Sequence, residues 1–244
     1  MIETRSLSRQ FSSHYALEDV TFCAAPGERI AVVGANGAGK TTLLRILATY
    51  LPATSGHASI GGYDLLHDSL AIRQMIGYLP EHAPLYPDIR VAEYLKYRGR
   101  LRRMSRLHLN RRLHDVISFC DLNTHRNVRI DTLSSGTRRR VGIADALLNE
   151  PRILLLDDPL VACDPYQAEK ITAMLTSETL FANRTLLFTS HSHETVRAAA
   201  TRLIFLDRGT ICADTTDLTC LDGHSLQTLF THWQNTRDER TLTE

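Results

Sequence analysis

The chain has 244 residues, 43% of them apolar, with 28 Lys and Arg set against 27 Asp and Glu. That is room for one large domain, or for a core domain with a small insert, around a real hydrophobic core, and the near-neutral charge gives no push toward nucleic acid or an acidic partner. The five cysteines (Cys23, Cys120, Cys163, Cys212 and Cys220) are scattered and form no CxxC pair, which argues against a zinc or dithiol centre and fits a reducing cytosol.

The N-terminal segment MIETRSLSRQFSSHY has no apolar stretch of the kind a secretory signal needs. The longest apolar runs, such as Ile153–Leu156, fall far short of the ~20 residues that cross a bilayer, so work at a membrane would require docking by another chain. Arg29–Val33 is a short β-branched run that reads as a buried strand. It ends in the Gly-rich turn Gly34–Gly39. The following stretch, Lys40–Tyr50, spaces Leu43, Leu44, Leu47 and Leu51 as a helix does.

From about Pro84 to Asn127 the pattern is mostly helical, preceded by breaks at Pro80, Pro84 and Pro87. Seven arginines lie between Arg98 and Arg112 with no acid among them; they read as a solvated helix face or, more sharply, as a contact surface for acidic lipid heads or a partner helix. Arg138–Asn149 is helix-forming. Ile153–Leu156 and Thr185–Phe188 read as further buried strands, and Leu203–Leu206 with Thr210–Ala213 as a hairpin turning at Asp207–Gly209. Strands that alternate with helices imply an α/β core with a parallel sheet.

The chemistry concentrates in three segments. Gly34-Ala35-Asn36-Gly37-Ala38-Gly39-Lys40-Thr41 matches GxxxxGK[ST] at every fixed position and sits between a strand and a helix, a phosphate-binding loop whose successive N–H groups and helix N-terminus face phosphate oxygens. Lys40 would reach the β- and γ-phosphates, and the Thr41 hydroxyl would ligate Mg²⁺, with Thr42 beside it. Ile153–Leu156 delivers Asp157 and Asp158 to its end, as a Walker B strand does; Asp157 would hold Mg²⁺ and Asp158 stands where a hydrolytic ATPase places the base for water. The bland alternative is an acid pair capping the turn before Pro159. The segment Leu133-Ser134-Ser135-Gly136-Thr137 precedes a helix and, taken alone, is a good N-cap.

The order of phosphate loop, helical insert, LSxG segment, Walker B strand and late histidine resembles the ABC ATPase family over about residues 2–215. The resemblance implies a P-loop NTPase core with a parallel central sheet, an N-terminal antiparallel β subdomain and an inserted helical subdomain, with core at 1–83 and 131–215, insert at 84–130 and a tail at 216–244. It also implies ATP and Mg²⁺ as cofactors. Ser134, Ser135 and Gly136 would contact the γ-phosphate held by a second cassette, identical or paired, although Ser135 and Thr137 depart from the family's LSGGQ. Phe11 would stack on adenine, with Tyr15 a weaker stand-in and core packing the bland alternative. Asp164 matches the D-loop acid, and His191 the switch histidine that senses the γ-phosphate, while His193 reads as a surface residue. Glu81, in Ile76-Gly-Tyr-Leu-Pro-Glu81, replaces the usual glutamine of the Q-loop, where it would face the metal and the nucleotide.

The run GYLPEHAPLYPDIRVAEYL, the late segment Leu203–Ala213 and the tail Ser225–Phe230 resemble ATP-binding subunits that serve ABC-2-type membrane proteins, including those of gliding motility. The implied function is ATP hydrolysis powering transport, as a cassette dimer held at the cytoplasmic face of the membrane by integral membrane permease subunits, with no nucleic acid involved. The alternatives are a regulatory ATP-binding module with little hydrolysis, toward which Glu81, Ser135, Thr137 and Asp158 point, and a soluble ABC ATPase acting on nucleic acid or the ribosome.

Overall fold

Val, Ile and Leu fill the strands that read as buried, and each of those strands has neighbours on both edges. In the computed structural model, which describes residues 1–181, 183–221, 226, 228, 229 and 231, β3 (Arg29–Val33) pairs in parallel with β8 (Thr185–Thr189) on one side and β9 (Arg202–Asp207) on the other. Strands β7 (Ile153–Leu156) and β6 (Ile76–Leu79) extend the sheet in parallel beyond β8, and β10 (Thr210–Thr215) closes the far edge antiparallel to β9. The order is β10-β9-β3-β8-β7-β6.

The two-residue period of a strand divides this sheet between two cores. One face presents Ala31, Val33, Leu154, Leu156, Leu186 and Phe188. The other presents Ile30, Val32, Ile153, Leu155 and Leu187. That second face packs against α1 (Lys40–Leu47) and against an antiparallel sheet of order β2-β1-β4-β5, formed by β1 (Ile2–Phe11), β2 (His14–Ala24), β4 (Ser55–Ile60) and β5 (Tyr63–Asp64). Helix α1 stops at Leu47 rather than Tyr50, because Thr49 adopts a left-handed φ of 61° that ends the helical turn.

After α2 (Ser69–Met75) and β6, helices α3 (Val91–Leu101) and α4 (Arg106–Phe119) form a pair that lies on α5 (Ser135–Leu147). Leu95, Leu109, Leu113 and Val116 join Val141, Ala144 and Leu148 in the first core. Helices α6 (Pro165–Leu175), α7 (Glu178–Phe181) and α8 (His193–Ala199) complete that face. Residues 222–225, 227, 230 and 232–244, which include most of the Ser225–Phe230 tail, lie outside the described residues.

The arginine-rich span is a solvated face only in part. Arg100, Arg103, Arg106 and Arg111 are exposed. Arg98 Nε, however, donates to Asp145 Oδ2 at 3.0 Å and Arg102 to Asp145 Oδ1 at 2.7 Å, while the Tyr94 hydroxyl reaches the same carboxylate at 3.3 Å. Arg112 donates to the Leu147 carbonyl at 3.1 Å. The acid that pairs Arg98 and Arg102 sits on another helix, beyond the reach of local charge counting. Burial beside Asp145 pushes the Tyr94 hydroxyl well above the usual tyrosine range.

Asp145 therefore ties the helical pair to α5. Replacing it by Asn leaves two half-buried guanidiniums short of their counter-charge, which in fully buried pairs costs about 3–5 kcal/mol; partial solvent screening of the arginines reduces this to about 2 kcal/mol. Thermal unfolding followed by circular dichroism should place the Asp145→Asn midpoint about 4–8 °C below the parent. An unchanged midpoint would show the network to be a surface ornament.

Candidate functional site

The loop that leaves β3 must turn tightly and let α1 start at once, and its glycines make that possible. Gly39 caps α1 with φ 105°, and a Cβ there would stand 2.3 Å from the Ala16 carbonyl oxygen and 2.8 Å from Leu17 Cδ2. Any side chain would force β2 away from the loop. Lys40, 8% exposed, folds back so that Nζ donates to the carbonyls of Gly34 at 2.8 Å and Ala35 at 2.9 Å. Burial pushes its pKa below the usual lysine value, with Asp158, Asp157 and Glu81 opposing that shift.

The parallel register brings the end of β7 beside the loop. Asp157 is 2% exposed, and its Oδ1 accepts from the Thr41 hydroxyl at 3.1 Å and the Thr189 hydroxyl at 2.9 Å. Thr189 ends β8 and also receives the Asp158 backbone N–H at 2.7 Å. Asp157 Oδ2 is buried with no partner among the described residues. A buried carboxylate oxygen of this kind, next to a threonine hydroxyl at the start of a phosphate-loop helix, fits one coordination position of a hard divalent cation. Burial raises the pKa of both Asp157 and Asp158; Thr189 and Thr41 counteract it at Asp157, and His191 and Arg139 at Asp158.

These groups line one cleft of about 370 Å³. From the predicted set it gathers Asn36 to Thr42, Glu81, Asp157, Asp158 and His191, to which the structure adds Ala16 and Thr189. Gly34 and Ala35 take part through the carbonyls that hold Lys40. His191 is exposed.

The remaining predicted residues do not line this cleft. Ser134 caps α5, its hydroxyl accepting the Thr137 N–H at 3.2 Å. The Ser135 hydroxyl donates to the Ala162 carbonyl at 2.5 Å. Gly136 packs so closely on α6 that a Cβ would lie 2.4 Å from Gln167 Cγ, and Asp164 caps α6 by accepting the Gln167 N–H at 2.9 Å. Together they form a second polar surface on the same chain. Phe11 is 44% exposed, with Arg9 stacked 4.5 Å from its ring centroid, so it is not a core residue; Tyr15 is 41% exposed. His193, read as a surface residue, is half-buried, its Nε2 2.9 Å from the Leu221 carbonyl.

Two participants carry little weight in the sequence reading. Thr189 reads there only as a neighbour of His191, because the carboxylate it serves is 32 positions away. Arg139 reads as one more residue of a helix-forming stretch. It stands between Arg138 and Arg140, so no local signal singles it out.

Residues 17–161 match the family model described as ABC transporter. The chain is similar to the ABC transporter ATP-binding protein NatA of Bacillus subtilis (strain 168), 31% identical over 216 residues that cover 86% of this chain and 87% of NatA. It is 28% identical over 215 residues to the linearmycin resistance ATP-binding protein LnrL of the same organism, covering 87% of this chain and 68% of LnrL. Among solved structures, the dimeric post-hydrolysis state of the ATP-binding cassette MJ0796 bound to ADP and Pi aligns with a TM-score of 0.81 at 25% identity, over 88% of this chain and 98% of that one. An ATP-binding subunit of an ABC transporter aligns with a TM-score of 0.84 at 27% identity, over 96% and 99%.

The depressed pKa of Lys40 means that the nucleotide-free fold bears a cost for carrying its charge at every pH below the folded-state pKa, a cost relieved as pH rises through it. Lys40→Met should therefore melt no lower than the parent at pH 7 when no nucleotide is present. ATP at about 100 times its dissociation constant should stabilise the parent by about 2.7 kcal/mol, a midpoint rise of roughly 5–10 °C, and leave Lys40→Met unmoved. Equal ATP-dependent shifts in the two proteins would remove Lys40 from the phosphate site.

Proposed function

The chain belongs to the ABC transporter family as an ATP-binding, ATP-hydrolysing subunit, and on that premise we propose how its residues divide the work. The observation that carries the proposal is the convergence of Lys40, Thr41, Asp157, Asp158 and His191 on one cleft at the C-terminal edge of the parallel sheet.

The N–H groups of the loop and the first turn of α1 bind the phosphates, and Lys40 exchanges the carbonyls of Gly34 and Ala35 for the β- and γ-phosphate oxygens. Thr41 and Asp157 hold Mg²⁺, with Glu81 alongside, and the ion supplies charge neutralisation to the γ-phosphoryl group when bound. Asp158 accepts the proton of the attacking water, and His191 donates to the γ-phosphate from the exposed rim. Phe11 offers its open ring face to the adenine. The Ser134–Gly136 surface, distant from this cleft, faces the γ-phosphate of a second cassette, so that two copies enclose nucleotide between them. Asp164 crosses the same interface.

Among the described residues no helix is long and apolar enough to cross a membrane. We place the chain at the cytoplasmic face of a membrane, held there by separate permease subunits of the ABC-2 type. Two relatives support an exporter, LnrL through linearmycin resistance and a protein of Cupriavidus metallidurans, 30% identical, through Nod factor export, while a protein of Rhodopseudomonas palustris, 33% identical, serves sulfate/thiosulfate import.

The family ordinarily has glutamate where this chain has Asp158. Aspartate withdraws the carboxylate by about 1.5 Å, near one C–C bond, and a misplacement of about 1 Å can cost on the order of 100-fold in rate. Its backbone sits at φ 43°, a left-handed conformation that aspartate tolerates better than glutamate. A slow intrinsic ATPase follows. Steady-state assays should find Asp158→Asn slower by at least about tenfold, since the amide accepts no proton, with Asp158→Glu equal to or faster than the parent. An Asp158→Asn variant at parental rate would favour the reading of a regulatory nucleotide sensor.

The composite site makes ATP a bridge between chains, so binding favours the dimer by mass action. Light scattering on His191→Ala, which binds but hydrolyses poorly, should find a larger dimer fraction with ATP than with ADP. Equal fractions would argue that the Ser134–Gly136 surface does not meet a partner's nucleotide.

A further inference from the structure

Arg139 occupies the second turn of α5, 4% exposed, in the middle of the molecule. Among the described residues its guanidinium forms no ion pair with a carboxylate. It donates instead to backbone oxygens from two segments: one nitrogen to the carbonyls of Pro80 and Glu81, each at 2.7 Å, and the other to the carbonyls of Asp157 and Asp158, the latter at 2.7 Å. These segments are the chain leaving β6 and the chain leaving β7. One planar, rigid fork thus fixes the spacing between the residues that carry Glu81 and Asp158 into the cleft.

The same helix presents the other polar surface. Ser134 is its N-cap, and Ser135, in its first turn, donates to the Ala162 carbonyl. Position 139 is one helical turn from position 135. Displacement of the helix N-terminus by one direction of pull is therefore carried to the four carbonyls through a single rigid element whose neighbours are close-packed. Gly136 against Gln167 leaves the helix no slack on the α6 side, since even a methyl group would not fit there.

We propose that Arg139 is a positioning residue: it makes Glu81 and Asp158 move with α5, so that the end of the helix which meets the second cassette's nucleotide sets the place of the acidic groups at this chain's own nucleotide. The inference rests on the reading of the two surfaces given under Proposed function. Because every acceptor is a main-chain oxygen, the device does not depend on which side chains stand at 80, 81, 157 and 158. Among the described residues no other α5 side chain bonds to both loops.

Arg139→Met keeps the length and apolar stem but removes all donors, and Arg139→Lys keeps the charge and three donors. Bound ATP per chain and its dissociation constant are measured by calorimetric titration, and hydrolysis by single-turnover kinetics on the same samples. Arg139→Met should bind one ATP per chain with affinity within about threefold of the parent, since the phosphate loop is untouched, while its single-turnover rate falls about 30- to 100-fold, as ~1 Å misplacement of a base does. Arg139→Lys should recover at least fivefold of that loss.

The inference is overturned if Arg139→Met hydrolyses at the parental rate, if its ATP sites disappear in proportion to its activity, or if lysine recovers nothing. Should the methionine variant fail to fold, Arg139→Leu, which also removes all donors, is held to the same criteria. A parent that hydrolyses no faster than Lys40→Ala sinks the ATPase reading itself. An active parent with an equally active Arg139→Met sinks this inference alone.

Discussion

A carboxylate that is almost fully buried, Asp157 at the end of β7, sets the terms for the site around it. Removing such a group from water is costly unless hydrogen bonds replace the lost solvation. The two hydroxyls that do so come from different elements, Thr41 at the start of α1 and Thr189 at the end of β8. Satisfying one carboxylate therefore brings the phosphate-loop helix and two strands into a single arrangement. Because β3, β8 and β7 run parallel, their C-terminal ends open at one edge, and the loop, the acid pair and His191 meet there without any long excursion of the chain.

The second organising feature is a helix that carries charge through the core. Helix α5 buries Arg139, Arg140 and Asp145 together with Val141, Ile143 and Ala144. Each charged residue takes partners from a different part of the chain: Arg140 from Cys120, Asp121 and Gln167, Asp145 from Arg98 and Arg102, and Arg139 from the ends of β6 and β7. Buried ionic contacts add little stability beyond what well-packed apolar groups would give, but a wrong pairing would strand a charge. Their consequence here is geometric. The helical pair α3–α4, the Q-loop segment and the acid pair are all referenced to one rigid element.

The departures from the family pattern acquire physical roles in this light. Ser135 stands where the LSGGQ pattern has glycine, and its hydroxyl anchors the Ala162 carbonyl in a turn where Ala162 itself adopts φ 57°. The hydroxyl thus joins the N-terminus of α5 to the turn that precedes α6. Thr137, in place of glutamine, is buried and shares the Ser134 hydroxyl at 2.9 Å, which extends the N-cap by one bond. Asp158 puts a shorter acid in the same cleft as Asp157, Glu81 adds a charge where glutamine has none, and burial raises the pKa of both aspartates. The site therefore gains most from whatever positive charge enters with the nucleotide.

Much of the architecture was legible from local pattern. Arg29–Val33 and Ile153–Leu156 are strands over the residues that their apolar runs mark, since a strand buried on both faces writes itself as an uninterrupted run. The phosphate loop was legible because its chemistry is contiguous: glycines, lysine and threonine act on one ligand within eight positions. The individual strands of the antiparallel sheet were not, because β1 and β2 carry register shifts that break the two-residue alternation. Nor were the roles of Arg98, Arg102, Arg139 and Thr189. Each depends on a partner between 18 and 59 positions away, and a hydrogen bond leaves no trace in the spacing of residues on one side of it. The sequence by itself determined the buried strands β3, β7 and β8, the helix that follows the phosphate loop and the loop itself, through apolar runs, a 3.6-residue period and a contiguous motif that act over a few positions. Only the tertiary structure decided which buried charge answers which, because that is a matter of distances of about 3 Å between segments that the chain order keeps apart.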